Sequence, residues 1–332
     1  MALPHTEGCG SKGKTIRDNY DNILVGHLTH PLVASALVLE HGCESEHNEE
    51  MKNKLTTRGV ALTRRTGVAE ASKKEATAAG EQKTEDAFGW ASVQYDGGIQ
   101  NVYAKAQNWF QQVTLSSLPK AMPAAQTPSW SGVGVGFVCA PHYPLTHDEG
   151  RVVALAVTAI VRAGGFVVVP QQSPLLREAR FLDVVLETRS QLTPTLLYGQ
   201  SIAYSSKSGK SPAGLHIMEE DSSSQWIETL TALASTGVQC TGALSHAAMA
   251  TNPLVPTLTV MPSNKCKGSD DADSTLFLSV GVGETEAEMH GRCARALLED
   301  IAAVLSRKRL PKSMVLGDLA FQLSRGKMGV SV

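Results

Sequence analysis

Two short stretches near the start of the chain, His5-Thr6-Glu7-Gly8-Cys9-Gly10 and His41-Gly42-Cys43-Glu44, gather nitrogen, oxygen and sulfur donors. A mixed set of this kind suits a divalent ion without choosing which one, and Gly8, Gly10 and Gly42 let the backbone curl around a bound group. Each stretch also has a plainer reading. The first can be an ordinary frayed terminus, and the second a buried Cys43 beside a His41 satisfied by hydrogen bonds. A third set, Cys139-Ala140-Pro141-His142 with His147 and Asp148, offers polar groups for a substrate; its alternative is a loop of solvated histidines. Glu46 and His47 are expected to face solvent.

The elements that must position these residues can be read from periodicity. Between Thr15 and Leu28, Ile16, Tyr20, Ile23, Leu24 and Leu28 recur at helical spacing. His30-Pro31 ends that helix, because a residue before proline is pushed out of the α region. Leu32 to Leu39 is almost unbroken Leu, Val and Ala, which predicts a parallel strand covered on both faces. His41 to Glu44 then fall just past its carboxyl end, where open α/β sheets place their ligands. The two donor stretches are expected to bracket one αβ unit, with Cys9 and Glu44 approaching one ion.

The same residues carry a resemblance. HTEGCG followed by HPLVASALVLEHGCE is similar to the two signature segments of the altronate/galactarate dehydratase (altronate hydrolase) family of sugar-acid dehydratases. Pro212 to Met218, Trp226 to Thr231, Thr236 to Val238 and Phe321 to Gly326 resemble later segments of that family. The resemblance implies a metal-dependent lyase that dehydrates a hexonate or hexarate to a 2-keto-3-deoxy acid, with ferrous or a similar divalent ion. His5, Glu7 and His41 are then the catalytic candidates, although His5 is open to either a base or a ligand role. Cys9, Cys43 and Glu44 are the metal candidates, and His142, His147 and Asp148 the substrate-binding ones. At the third set the chain departs from the family, whose members carry a CGGSD-like segment there. Two alternatives stand beside this reading: a lyase expelling sulfite from a sulfo-acid such as sulfolactate, and an inactive relative acting as a binding subunit. Family members place a small module and part of the first large domain ahead of HTEGCG. A homo-oligomer, or a small partner chain replacing that module, is therefore the expected partner, unless the chain is truncated or divergent.

At 332 residues with 42% hydrophobic content, the chain can build two cores. A net charge of -2 from 30 basic and 32 acidic residues argues against nucleic-acid or membrane partners. No apolar run reaches eighteen residues, no secretory signal is visible, and the six cysteines lack a disulfide spacing, so a cytoplasmic location is expected. The expected fold class is α/β, with two Rossmann-like lobes of mainly parallel sheets. Residues 1–114 form the first domain, with an insertion at 64–86 poor in apolar anchors. A Pro/Ser-rich stretch leads to the second, 132–332, where helices and strands alternate from Val133 to a last strand at Phe277 to Val280 and a final helix at Glu286 to Leu305. The flexible-looking Ser/Gly/Lys loop at 205–211 has GKS but lacks the upstream glycine of a phosphate loop.

Overall fold

The computed structural model describes the chain apart from residues 6–13, 45–46, 61, 66–83, 87, 118–128, 188–194, 203–212, 221–224, 264–271 and 325–332. The expectations for Glu7, Cys9, most of the 64–86 insertion and the 205–211 loop therefore lie outside the described residues. The chain is α/β and divides into two compact units. The smaller is built on Val33–Met122; the larger combines Lys12–Leu32 with Pro123–Val332.

Helix α1 (Lys14–Leu28) leads to β1 (Ala36–Glu40), α2 (Asn48–Thr57), β2 (Thr63–Arg65), β3 (Thr84–Asp86), β4 (Phe88–Ser92) and α3 (Ile99–Ser117). In the smaller unit β1 and β4 run parallel, in register from Ala36 beside Phe88 to Glu40 beside Ser92. β2 and β3 form a separate antiparallel pair. The apolar side of α2 is Met51 and Leu55, both buried, and that of α3 includes buried Val102. Gly89 has to be glycine, since a Cβ there would stand 2.6 Å from both Leu37 and Trp109. The expectation that β1 is covered on both faces is not met: Leu39 is 57% exposed and Glu40 is the buried residue of the strand. Among the described residues β1 pairs with β4 alone, so it lacks there the flanking strands of a fully enclosed parallel sheet.

The larger unit continues with β5 (Gly134–Cys139), α4 (His147–Arg162), β6 (Phe166–Pro170), a 3-10 turn (Pro174–Arg177), α5 (Ala179–Leu186) and β7 (Gly214–Met218). Then come α6 (Trp226–Ser235), β8 (Cys240–Leu244), β9 (Thr257–Pro262), β10 (Ser274–Leu276), α7 (Glu286–Leu305) and α8 (Lys312–Leu316). The six strands are parallel in the order β10-β9-β8-β5-β6-β7. The chain winds outward from β5 through β6 to β7, returns to β8 on the other side of β5, and winds outward again. This is the doubly wound order of a dinucleotide-type fold, with its reversal between β5 and β8. β5, β6, β8 and β9 are buried along their whole length, as a sheet covered by helices on both faces requires. Val153, Ala156, Val157 and Ile160 of α4 and Leu297 and Ile301 of α7 close the core over it.

Two expectations are corrected here. The last strand ends at Leu276 because its partner β9 ends at Pro262, level with it. Phe277 and Val280 are 58% and 53% exposed instead, and the Arg292 guanidinium donates to the carbonyls of Phe277 and Ser279. Beyond β7, Leu196 makes a single parallel bridge to Met218.

The other correction concerns α1, which groups with the six-stranded sheet and not with β1. It lies so close to α6 that a Cβ on Gly26 would meet the Ser235 carbonyl oxygen at 2.2 Å. Its polar residues are buried as well. Asn22 donates to the Tyr198 carbonyl, His27 Nδ1 lies 2.8 Å from the Ile23 carbonyl, and His30 Nε2 lies 2.8 Å from that of Val238. Apolar periodicity could not show this, because half of the docking face is made of hydrogen-bonding side chains.

Candidate functional site

The turn after β1 is organised by Glu44. Its two carboxylate oxygens accept from the backbone N–H groups of His41 and Gly42, both at 2.7 Å. Burial opposes ionisation of Glu44, but the His41, Gly42 and own-amide donors outweigh it and hold the carboxyl below its usual range. Gly42 takes φ +110, and a Cβ there would stand 2.7 Å from Gln94 Cβ, so the turn needs glycine. Cys43 and His41 are exposed. The turn thus presents an anionic carboxylate, an exposed thiol and an exposed imidazole, donor types that suit a divalent ion, although the three do not converge on one point in this structure. His5 is exposed, with its ring edge-on to Tyr20 at 5.6 Å.

Beside this turn, at the carboxyl ends of β1 and β4, the smaller unit holds a cleft of about 410 Å³. Glu40 ends β1 and is 7% exposed; Oε2 accepts from the Asn48 amide at 2.5 Å, fixing the start of α2 to the strand. His47, the residue before α2, forms part of the wall with its side chain 38% exposed, not wholly in solvent as expected. Its Nδ1 is buried, 3.7 Å from Glu40 Oε2, and its ring meets Tyr95 edge-on at 6.0 Å. Across the cleft Asp96 takes both a backbone N–H from Ser92 at 2.8 Å and the Lys105 ammonium at 2.8 and 2.9 Å. Lys52 lies 5.3 Å from the Trp90 ring centre. Sequence reading missed this group, although one signal was available: Glu40 is the charged residue that ends an apolar strand.

In the larger unit the fold reversal falls between Cys139 and Leu244, where Ala140 N–H donates to the Leu244 carbonyl at 2.8 Å. Tyr143 is buried against His246, with ring centres 4.7 Å apart, and its hydroxyl donates to the fully buried Glu149. Glu149 also accepts from Thr146 N and Oγ1 at 2.7 and 2.8 Å, which caps α4. Burial pushes the Cys139 thiol up to about 12, only partly offset by Ser173, so it stays protonated and is poorly suited as a nucleophile or ligand. His142 is exposed at φ +58 on the crest of this loop.

His147 and Asp148 are occupied by neighbours. His147 Nδ1 lies 2.6 Å from Glu178 Oε1, and Asp148 Oδ1 lies 3.0 Å from His290 Nε2 and 3.3 Å from Arg180. Arg180 also reaches Glu286 at 2.6 Å. Asp148, Glu286 and His290 are the trio of donors close enough to share an ion among the described residues. The Arg180 charge already lies against both carboxylates, and each sits in the first turn of a helix, where negative charge is favoured without any ion. The trio is therefore best explained as a tie between the starts of α4, α5 and α7.

Comparison with known proteins places the smaller unit's strands in context. No curated protein matches the chain. The family model described as D-galactarate dehydratase/altronate hydrolase, second domain, matches residues 1–92, which include both donor stretches, β1, β4, and Glu40 and His47 of the cleft. Over residues 1–92 the chain is therefore similar to the second domain of the D-galactarate dehydratase/altronate hydrolase family.

Proposed function

We propose that this protein is a lyase that removes water from a hexonate or hexarate to give a 2-keto-3-deoxy acid, with a divalent ion such as ferrous iron. The observation that carries the reading is the family match over 1–92, together with the ionised Glu44 and exposed Cys43 and His41 at the end of β1 inside the matched segment. Cys9, Cys43 and Glu44 are the proposed ligands of the ion, and His5, Glu7 and His41 the proposed proton-transfer groups. A bound divalent ion would supply Lewis-acid stabilisation of the negative charge that develops on the substrate as the proton next to its carboxylate is removed. The chain's own part is to fix the Glu44 carboxylate through the His41 and Gly42 amides and to keep Cys43 open. His142, His147 and Asp148 remain the proposed substrate contacts in the larger unit, with His142 the most open of the three to a ligand.

The test is a panel of hexonates and hexarates incubated anaerobically with the reduced protein and ferrous ion, with keto acid as the readout. The Cys43→Ser, Glu44→Gln double variant should lose both metal retention and turnover, because ligands must be anionic to hold the ion. His142→Ala should keep the metal. Keto-acid formation at the wild-type rate by the double variant would place the chemistry elsewhere.

A further inference from the structure

We infer that Glu40 and His47 form a carboxylate–histidine pair in the cleft of the smaller unit, with His47 the group that takes the proton next to the substrate carboxylate. The inference rests on the sugar-acid reading above and puts His47, in place of His5, Glu7 or His41, at the step that takes the C2 proton.

Four observations carry it. The pair lines a cleft of about 410 Å³ at the carboxyl ends of two parallel strands, a volume and a position typical of small-molecule sites. Glu40 is 7% exposed and anchored by the Asn48 amide, so its carboxylate keeps its place. Nδ1, the nitrogen facing Glu40 at 3.7 Å, is the buried edge of a ring that is otherwise 38% exposed. The same cleft carries two ammonium groups, Lys52 and Lys105, each held in the wall by a carboxylate, Glu49 and Asp96 respectively, with which a substrate carboxylate would share it.

These features assign roles. A proton on Nδ1 directed at Glu40 leaves Nε2 with its lone pair, the form in which histidine acts as a base, and the carboxylate stabilises the imidazolium that follows. Catalytic hydrogen bonds commonly tighten when substrate binds, so a separation of 3.7 Å is compatible with this arrangement. In the reaction, Nε2 removes the C2 proton and the electron pair of that C–H bond becomes the C2–C3 double bond as the C3–O bond breaks. The departing hydroxide takes the proton from His47 and leaves as water. The remaining enol moves its hydroxyl proton to C3, giving the 2-keto-3-deoxy acid. Glu40 touches no reacting atom and is a positioning residue. The other groups facing His47 are Glu50, which accepts from its backbone N–H, and the Tyr95 ring.

The experiment uses the full chain with the best substrate of the panel. His47→Ala should lower kcat by about 100-fold or more while KM stays near its wild-type value. Added imidazole should restore part of the rate, a rescue that loss of packing would not show. His47→Gln, which keeps most of the side-chain volume, should be as slow as His47→Ala without rescue. Glu40→Gln should lower kcat while KM stays near its wild-type value, because the ring loses the group that orients it. Near wild-type kcat in both His47 variants overturns the inference and leaves the sugar-acid reading intact. If the wild-type protein turns over no sugar acid, the reading and the inference fall together.

Discussion

His27 is the residue whose environment departs furthest from water among the described histidines. Burial carries its pKa down to about 4, against a smaller upward pull from the Ile23 carbonyl and a further lowering by His30. In the unfolded chain it takes up a proton near pH 6.5, so below that value the unfolded state binds more protons and stability falls until the folded value is reached. The cost approaches roughly 3 kcal/mol at the acidic end of that window. Urea unfolding at pH 7 and pH 5 should therefore show an acid sensitivity that His27→Gln reduces; equal pH slopes in the two proteins would contradict the assignment. Gly42→Ala is expected to cost about 1–3 kcal/mol and to weaken metal retention, since it strains the turn that holds Glu44. At this scale the sequence showed which residues could do chemistry and little of what they touch. The residues His41, Cys43 and Glu44 were legible from type and spacing. The cleft was not, because its members run from Glu40 to Lys105 and meet only when β4 pairs with β1.

Helices and strands were legible wherever one apolar period governed a whole element. The final helix was placed at Glu286 to Leu305, where α7 lies, and β5, β6, β7 and α6 follow the expected alternation. What periodicity could not supply was each element's partner. α1 docks on α6 through buried polar groups, and the segments that most resemble the family's later motifs join the same contact: Phe321 packs edge-on to His27 at 5.2 Å, and Gln322 donates to Glu228. Those motifs carry the family resemblance in sequence and act as packing in the fold. Gly26→Ala tests the docking. Alanine favours a helix by up to about 1 kcal/mol, but here its Cβ would lie 2.2 Å from the Ser235 carbonyl oxygen, so a net loss of roughly 1–3 kcal/mol is expected. Gly291→Ala in α7, where the nearest atom is the Arg295 Nη1 at 3.7 Å, should instead gain up to about 1 kcal/mol. Equal effects of the two substitutions in chemical denaturation would contradict the close α1–α6 contact.

For the whole molecule, the two units divide the chemistry differently from the chain order. The smaller unit carries both the Glu44 turn and the Glu40–His47 cleft, while the larger supplies a doubly wound sheet with His142 at its reversal. Among the described residues no helix is long and apolar enough to cross a membrane. The claim that unites these parts is water loss from a sugar acid, and the mass of the product tests it most directly. Incubated with galactarate or altronate and ferrous ion in deuterated water, the reduced protein should give a keto acid lacking one water and carrying one solvent deuterium at C3. Recovery of unchanged substrate in every condition, or loss of a group other than water, would contradict it.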